Sequence, residues 1–377
     1  MTMFILRRLG VMLLTALCLT FIVFFLTNLY PNLEKLAKTQ TNFRASDDAV
    51  HTWLANRGYR SMIAEEDLAR LRAGELTPEE EEELLGGFDP RLLRNYAEWL
   101  GIAPGYVIEG YDGITRARCA RGAQPDETTP RFCGILQGYW GYSTVFRNDV
   151  SAELTKRLGL TGYLMLWVMI VMVPGALIIG VLAGMREGSR ADRTLSTAAI
   201  VTTATPEYVS GVIFVALFAT PLLGMQIFKG VTAKDLSGLT FENFTLPVIT
   251  IALYGMGYIA RMTRASMTEV MTAQYIRTAR LKGVRFRDIV LKHALRNALI
   301  APFTVIMLQF PWLLNGVVIV EFLFGYPGFG SALVQAAGNN DIDLLLGVSV
   351  VSVFVVLVTQ LISDIGYVFL NPRIRIS

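Results

Sequence analysis

Six long apolar runs constrain this chain more than any other feature. They fall at about residues 9–29, 159–183, 198–223, 246–268, 299–323 and 344–369. Each is long enough to cross a bilayer core, which takes roughly 20 predominantly apolar residues per helix. In hydrocarbon every backbone N–H and C=O has to be paired within its own segment, so runs of this length read as helices rather than strands. Flanks aside, five have an uncharged centre, and the third contains Glu207. The charged fraction agrees, at 17% against about 25% in an ordinary soluble domain. The expected fold class is an all-α polytopic membrane protein with six transmembrane helices.

Arg7 and Arg8 precede the first run, which therefore resembles a secretion signal at first sight. Its apolar stretch is longer than a signal's roughly 7–15 residues, and no small-residue cleavage site follows. It reads as an anchor that stays, residues 1–30. Positive residues mark the cytoplasmic side. The connection after the second run carries Arg186, Arg190 and Arg193, and the one after the fourth carries nine Lys or Arg, from Arg261 to Arg296. The connection 224–245 has only Lys229 and Lys234, and 324–343 has none. Both termini are then cytoplasmic, with Arg373 and Arg375 at the end. Residues 31–157 lie outside the cell, and 158–377 form a five-helix core with a cytoplasmic loop at 261–298.

The outer segment holds 20 of the 31 acids. Turn signals such as GGFDP and APGY interrupt helix-prone pieces: EEDLARLRAG, and TPEEEEELL, where Thr77 and Glu80 have the spacing of a capping box. A small, mostly helical extracytoplasmic domain is expected between helices 1 and 2, with Glu79–Glu83 as a solvated helix face. Its two cysteines, Cys119 and Cys133, sit where oxidation is permitted. A disulfide between them would close a loop worth about 3 kcal/mol in the chain-entropy model. Cys18, inside the first helix, reads as packing. Two cysteines are too few for a metal site, and the two histidines, His51 and His293, are too far apart to add ligands.

Chemistry of its own is scarce in this chain. None of the seven lysines stands in a G-x-x-x-x-G-K-[ST] phosphate loop. Two histidines on opposite sides of a membrane cannot join one triad, so catalytic residues are expected to be none. An ion-driven carrier keeps ionisable groups at mid-membrane, and the sole candidate is Glu207, beside the kink-prone Pro206. Glu207 either faces a translocation path or lies near the interface. A secondary carrier would further need inverted repeats, and the two halves show none clearly.

Energy would therefore have to arrive from outside the chain. The cytoplasmic stretch QYIRTARLKGVRFRDIVLKHALRN, 274–297, holds seven basic residues and one acid, Asp288. It reads as two short helices, about 270–282 and 286–298, with Gly283 at the left-handed position that ends a helix. Ile276, Ala279 and Arg280 share a face, and Ala279 is expected at the apex of a hairpin that docks in a partner's groove. A topology signal explains the charge but not the glycine or the small residues. A nucleic-acid role is disfavoured, because aromatic residues are limited to Tyr275 and Phe286 and the charge has a membrane explanation.

The stretch YIRTARLKGVRFRDIVLKHALRNALIAP resembles the cytoplasmic loop motif of the membrane subunits of binding-protein-dependent ABC importers, and in particular the first permease of the dipeptide, oligopeptide and nickel family. In chain order the matching segments are FILRRLGVMLLTALCLTFIVFFL, GYWGYS, GMREGSRADRTLS, LPVITIALYGMGYIARMTRASMTEV, VEFLFGYPGFGSALVQAA and LISDIGYVFLNPRIR. This resemblance implies a type I ABC importer permease of the bacterial inner membrane. It implies a second homologous permease, two cytoplasmic ATPase subunits that bind ATP and magnesium, and an extracytoplasmic substrate-binding protein, with no cofactor in this chain. It also implies alternating access and a coupling helix. The family's glutamate-alanine-alanine, three residues, glycine pattern falls on Arg277, Thr278, Ala279 and Gly283. The coupling residues are then Tyr275, Arg277, Thr278, Ala279, Arg280, Lys282 and Gly283. The sequence departs from the family at YPNLEK, where only Pro31 survives of a proline-glycine-aspartate-proline, and in an insertion of about 30 residues that carries the cysteine pair. Glu207 also departs, standing after Pro206 where the family has a small or aromatic residue. The cargo implied is an oligopeptide or dipeptide, with oligosaccharides, opines and nickel complexes as alternatives. The cysteine loop has three readings: a cover for the pore, a dock for the binding protein, or simple stabilisation.

Overall fold

The structure, a computed structural model, describes residues 2–87, 89–120, 124–221, 226–233 and 235–370. Lys234, Arg373 and Arg375, three of the basic residues behind the expected topology, lie outside them, as do residues 121–123 of the cysteine loop. The chain divides into two compact units: Val11–Thr155 with Gln335–Val353, and Met1–Gly10 with Lys156–Val334 and Phe354–Ser377.

The unit built from Val11–Thr155 begins in α1 (Thr2–Thr27) and continues through α2 (Tyr30–Gln40), α3 (Asp47–Ala55), α4 (Glu65–Ala73), α5 (Pro78–Gly86) and α6 (Arg91–Leu100). Two short antiparallel hairpins follow. β1 (Val107–Glu109) pairs with β2 (Thr115–Ala117), Ile108 opposite Arg116, and β3 (Tyr142–Ser143) pairs with β4 (Asn148–Asp149). The local signals in the sequence act as expected. Thr77 caps α5 by accepting from the Glu80 N–H at 3.3 Å while the Glu80 carboxylate accepts from the Thr77 N–H at 2.9 Å. Gly74, at φ +67°, ends α4. In α6 the buried positions Leu92, Asn95 and Trp99 follow helical spacing. They meet a core of Phe24, Leu33, Leu36, Val50, Leu54, Ile342 and Leu346. The compact unit thus exceeds the soluble stretch 31–157, because its core takes in residues from the ends of two apolar helices. Cys119 and Cys133 form the disulfide, their Cα atoms 5.6 Å apart. Cys18 is exposed rather than packed, since the apolar face of a membrane helix is not obliged to turn inward.

The other unit contains α7 (Val150–Gly184) from Lys156 onward, α8 (Arg190–Ala204), α9 (Glu207–Phe214), α10 (Phe241–Met271), α11 (Gln274–Leu281), α12 (Phe286–Asp288), α13 (Leu295–Ala298), α14 (Ile300–Leu323) and α15 (Phe329–Gly338), with the end of α16 (Ile342–Leu370). α9 runs on into a wide π turn, Val215–Ala219, and a second one, Ile289–Ala294, joins α12 to α13. α10 lies at the centre and packs on α8, α9 and α14. In lipid no hydrophobic force draws helices together, so small residues that allow close backbone approach decide the contacts. Gly180 and Gly184 of α7 supply it here: a Cβ on Gly180 would lie 2.6 Å from the Ala260 carbonyl oxygen, and one on Gly184 2.7 Å from that of Arg264.

Among the described residues, four helices are long and apolar enough to cross a membrane: Leu6–Thr27, Val150–Gly184, Phe241–Met271 and Ile342–Gly366. Two bent pairs, Arg190–Ala204 with Glu207–Ala219 and Phe286–Ala298 with Ile300–Gln309, bring the number to six if each is one span. The third apolar run is therefore not one straight helix. It breaks by 103° at Thr205–Pro206, where proline lacks the N–H of the helical ladder and its ring crowds the preceding turn. Arg8 of α1 and Asp364 of α16 form an ion pair.

Candidate functional site

The basic stretch after α10 folds back on its own helices. Thr272 and Ala273 interrupt the helix, and α11 begins at Gln274. One face of α11, Ile276 and Ala279, is buried in a cluster with Met267 and Met271 of α10, Ile289 and Val290 of the wide turn, and Ala294 and Ala298. The other residues of α11 are exposed, among them Tyr275, Arg277, Thr278 and Arg280. The helix ends in a Schellman motif. The Gly283 N–H donates to the Arg280 carbonyl at 3.0 Å and the Val284 N–H to that of Ala279 at 3.2 Å. Gly283 has φ +73°, and Val284 closes the turn against the apolar cluster. A Cβ built on Gly283 meets nothing within 4 Å. The glycine is required by backbone conformation and not by space.

Ties across the element hold its shape. Asn297 Nδ2 donates to the Tyr275 hydroxyl at 2.9 Å, and Lys292 pairs with Asp288 at 3.0 Å. The Arg186 guanidinium lies 5.3 Å from the Phe286 ring centroid, within cation–π range. A cavity of about 550 Å³ lies beside α11, lined by Arg186, Glu187, Thr268, Thr272, Arg280 and Phe286. Asp192, in the first turn of α8, is almost wholly buried. It receives two hydrogen bonds from Arg264, at 2.5 and 2.8 Å, one from the Gly188 N–H at 2.9 Å and one from the Ser196 hydroxyl at 3.0 Å. That constellation ties the start of α8 to α10, so the surface carrying α11 stands on an immobilised base.

One expectation is corrected. Ala279 is not at the apex: its side chain packs inward, because one helical turn from Ile276 it shares the face that meets Met267 and Met271. The tip is formed by Arg280, Leu281, Lys282 and Gly283. Leu281 is 82% exposed. It carried a signal that the sequence reading passed over, as the one large apolar side chain of α11 two residues off the 276–279 face.

Pro206 and Glu207 are brought together at the 103° break. Glu207 begins α9, and one of its carboxylate oxygens is buried with no hydrogen-bond partner among the described residues. Glu207, half-buried, is not the only acid that the apolar helices enclose. Glu321, near the end of α14, is fully buried. It accepts from the Thr161 hydroxyl of α7 and from the Ser331 N–H at 3.0 Å. Thr161 in turn accepts from the Phe329 N–H at 2.8 Å, and Arg157 reaches the Ser331 hydroxyl at 3.2 Å. A Cβ on Gly328 would collide with a Glu321 carboxylate oxygen. The GYPGFG turn is thus built around this carboxylate. The run boundary at 323 hid Glu321 as a flanking charge. Among the described residues no group of three or more His, Cys, Asp or Glu is placed to hold a metal ion.

Residues 176–376 match the model of the binding-protein-dependent transport system inner membrane component. The chain belongs to this family. The match takes in the break at Pro206, the α11 element and Glu321, and leaves residues 1–175 outside it. A probable peptide ABC transporter permease protein of Sinorhizobium fredii is 33% identical over 243 residues, 64% of this chain and 77% of that protein. A putative peptide transport system permease protein of Brucella abortus is 33% identical over 235 residues, 62% and 75% of the two chains. The glutathione transport system permease protein GsiC of Salmonella choleraesuis is 34% identical over 247 residues, 64% and 76%. Family membership and the apolar helices make this chain a multi-pass membrane permease.

Proposed function

We propose that this permease is one half of the pore of an ATP-driven importer that takes up oligopeptides or dipeptides delivered by an extracytoplasmic binding protein. A second homologous permease completes the pore, and two cytoplasmic ATPases hold ATP and magnesium. The chain crosses the inner membrane six times, each bent pair counting as one span, with both termini in the cytoplasm. Residues 1–30 form the first span, 31–157 the outer domain and 158–377 the core, whose loop 261–298 carries the coupling element.

The observation that carries this reading is the α11 tip. Ile276 and Ala279 anchor it inward, Gly283 closes it, and Leu281 stands exposed among Arg277, Thr278, Arg280 and Lys282. An exposed apolar side chain ringed by charge and fixed on a buried base is what a partner's groove recognises. Tyr275 contributes by holding α13 through Asn297. ATP binding drives the partner ATPases together and moves the tip. The helix bundle follows as a rigid body, provided the nucleotide has unequal affinity for the two states. The break at Pro206, with Glu207 beside it, lies on the translocation path, where a helix end can bend without breaking a continuous ladder. The printed names of the relatives support a peptide cargo.

The test is uptake of a labelled tripeptide into proteoliposomes holding the complete importer. ATP-dependent uptake that requires the binding protein is expected, and Leu281→Asp should abolish it while membrane insertion persists. Full uptake by Leu281→Asp would refute the assignment of the tip.

A further inference from the structure

The unit of Val11–Thr155 and Gln335–Val353 encloses a cavity of about 810 Å³, within the range of roughly 300–1,000 Å³ that holds small ligands. Three guanidiniums line it: Arg57 just beyond α3, Arg116 on β2 and Arg118 in the turn after β2. Arg116 is engaged by Asp112 through two bonds of 2.6 and 2.8 Å. Arg57 and Arg118 have no ion pair among the described residues. Arg57 stacks 4.2 Å from the Trp53 ring centroid, and burial together with the adjacent Arg116 charge lowers its pKa. Asp149 and Asp343 also line the cavity, and Asp343 accepts from the Tyr142 N–H at 3.3 Å.

Two residues that line the cavity carry an orphaned atom. Arg118 Nε is a buried donor with no partner among the described residues, and Asn95 Oδ1 is a buried acceptor with none. The Asn95 amide cannot be turned round to relieve this, because its Nδ2 already donates to the Gly58 carbonyl at 3.2 Å. Leaving such groups unpaired costs about 1–3 kcal/mol each. A ligand that brought an acceptor for Arg118 and a donor for Asn95 would relieve both. The walls between them are rings and apolar side chains, among them Tyr59, Tyr106, Trp99 and Leu346. The Cys119–Cys133 bond, directly after Arg118, holds that arginine's turn in place.

We propose that this cavity is a peptide-binding site of the outer unit, taking the C-terminal carboxylate of a short peptide on Arg118 and Arg57. The adjoining peptide N–H bonds Asn95, and an aromatic or apolar last side chain lies among the rings. A phosphatidylcholine headgroup offers acceptors alone and would leave Asn95 Oδ1 unpaired. The site rests on the proposed cargo for its choice of peptide, and on its own atoms for the rest.

Equilibrium dialysis of labelled Ala-Ala-Phe against the complete importer in phosphatidylcholine nanodiscs, without binding protein or nucleotide, tests it. The free acid should bind at least tenfold more tightly than its C-terminal amide. Arg57→Gln, which among the described residues removes no ion pair or side-chain hydrogen bond and gives up only the stacking on Trp53, should weaken the acid at least threefold and leave the amide unchanged. Arg57→Gln with Arg118→Gln should weaken the acid at least tenfold. Equal binding of acid and amide, or wild-type affinity in the variants, overturns the site. Displacement by glycerol phosphate at the peptide's own concentration assigns the cavity to a headgroup and also overturns it. Uptake of the same peptide, measured in parallel, separates the two readings. Uptake with no direct binding overturns the site and leaves the importer standing, whereas binding without uptake overturns the cargo and keeps the site.

Discussion

Gly283 offers a test in which backbone and contact can be told apart. Its φ of +73° is a conformation that a residue with a Cβ adopts at a cost of about 1–2 kcal/mol. No heavy atom lies within 4 Å of a Cβ placed there, so within this chain the whole penalty is conformational. For Gly283→Ala it lowers the ratio of closed to frayed turn about 5- to 30-fold. Fraying releases the bonds to the Ala279 and Arg280 carbonyls, and with them the position of Leu281. A β-branched residue is a stronger outlier at positive φ, while Asn tolerates it. The expected order of peptide taken up per ATP hydrolysed is therefore Gly equal to Asn, then Ala, then Val. Proteoliposomes of the complete importer, with uptake and phosphate release followed together, give that ratio directly. If Gly283→Val transports as efficiently as the parent, the turn has no part in coupling. If Gly283→Asn is as poor as Val, the effect is bulk at a docking surface and the conformational argument fails.

Three further outcomes are expected. His51 is buried, with neither ring nitrogen hydrogen-bonded among the described residues, and burial, with Arg60 nearby, lowers its pKa from 6.5 to about 4. The unfolded chain then binds one more proton than the folded one between these values. Stability is present above pH 6.5 and falls by up to about 3 kcal/mol as pH drops to 4; His51→Leu should flatten that part of a melting-temperature profile, and an unchanged slope would exclude His51 as its source. Glu321→Leu strands the Ser331 N–H and the Thr161 hydroxyl, at about 1–3 kcal/mol each, so its thermal melting should fall well below that of Glu321→Gln, and equal melting would contradict a carboxylate-centred turn. Peptide mapping without reduction should join Cys119 to Cys133, and Cys119→Ser should cost the unit that contains it about 3 kcal/mol; a free thiol at either position would remove that contribution.

The apolar runs and the capping signals were legible because they depend on local chemistry alone. Run length determines that a segment can span a bilayer, Thr77 and Glu80 determine a helix start, and Gly283 determines a helix end whatever surrounds it. The cysteine pair was legible too, from its spacing in the chain. What required the tertiary structure was the direction in which each side chain points. Ala279 and Leu281 are two residues apart in the same small helix, and only the packing of α11 on α10 turns one inward and the other out. Glu321 looks like a flanking charge until the turn after α14 folds back and wraps it with Thr161 and Ser331. Arg57, Asn95 and Arg118 have no pattern in common along the chain. They meet because α3, α6 and a disulfide-held hairpin converge on one cavity, and such convergence is a property of long-range packing that no local window of sequence contains.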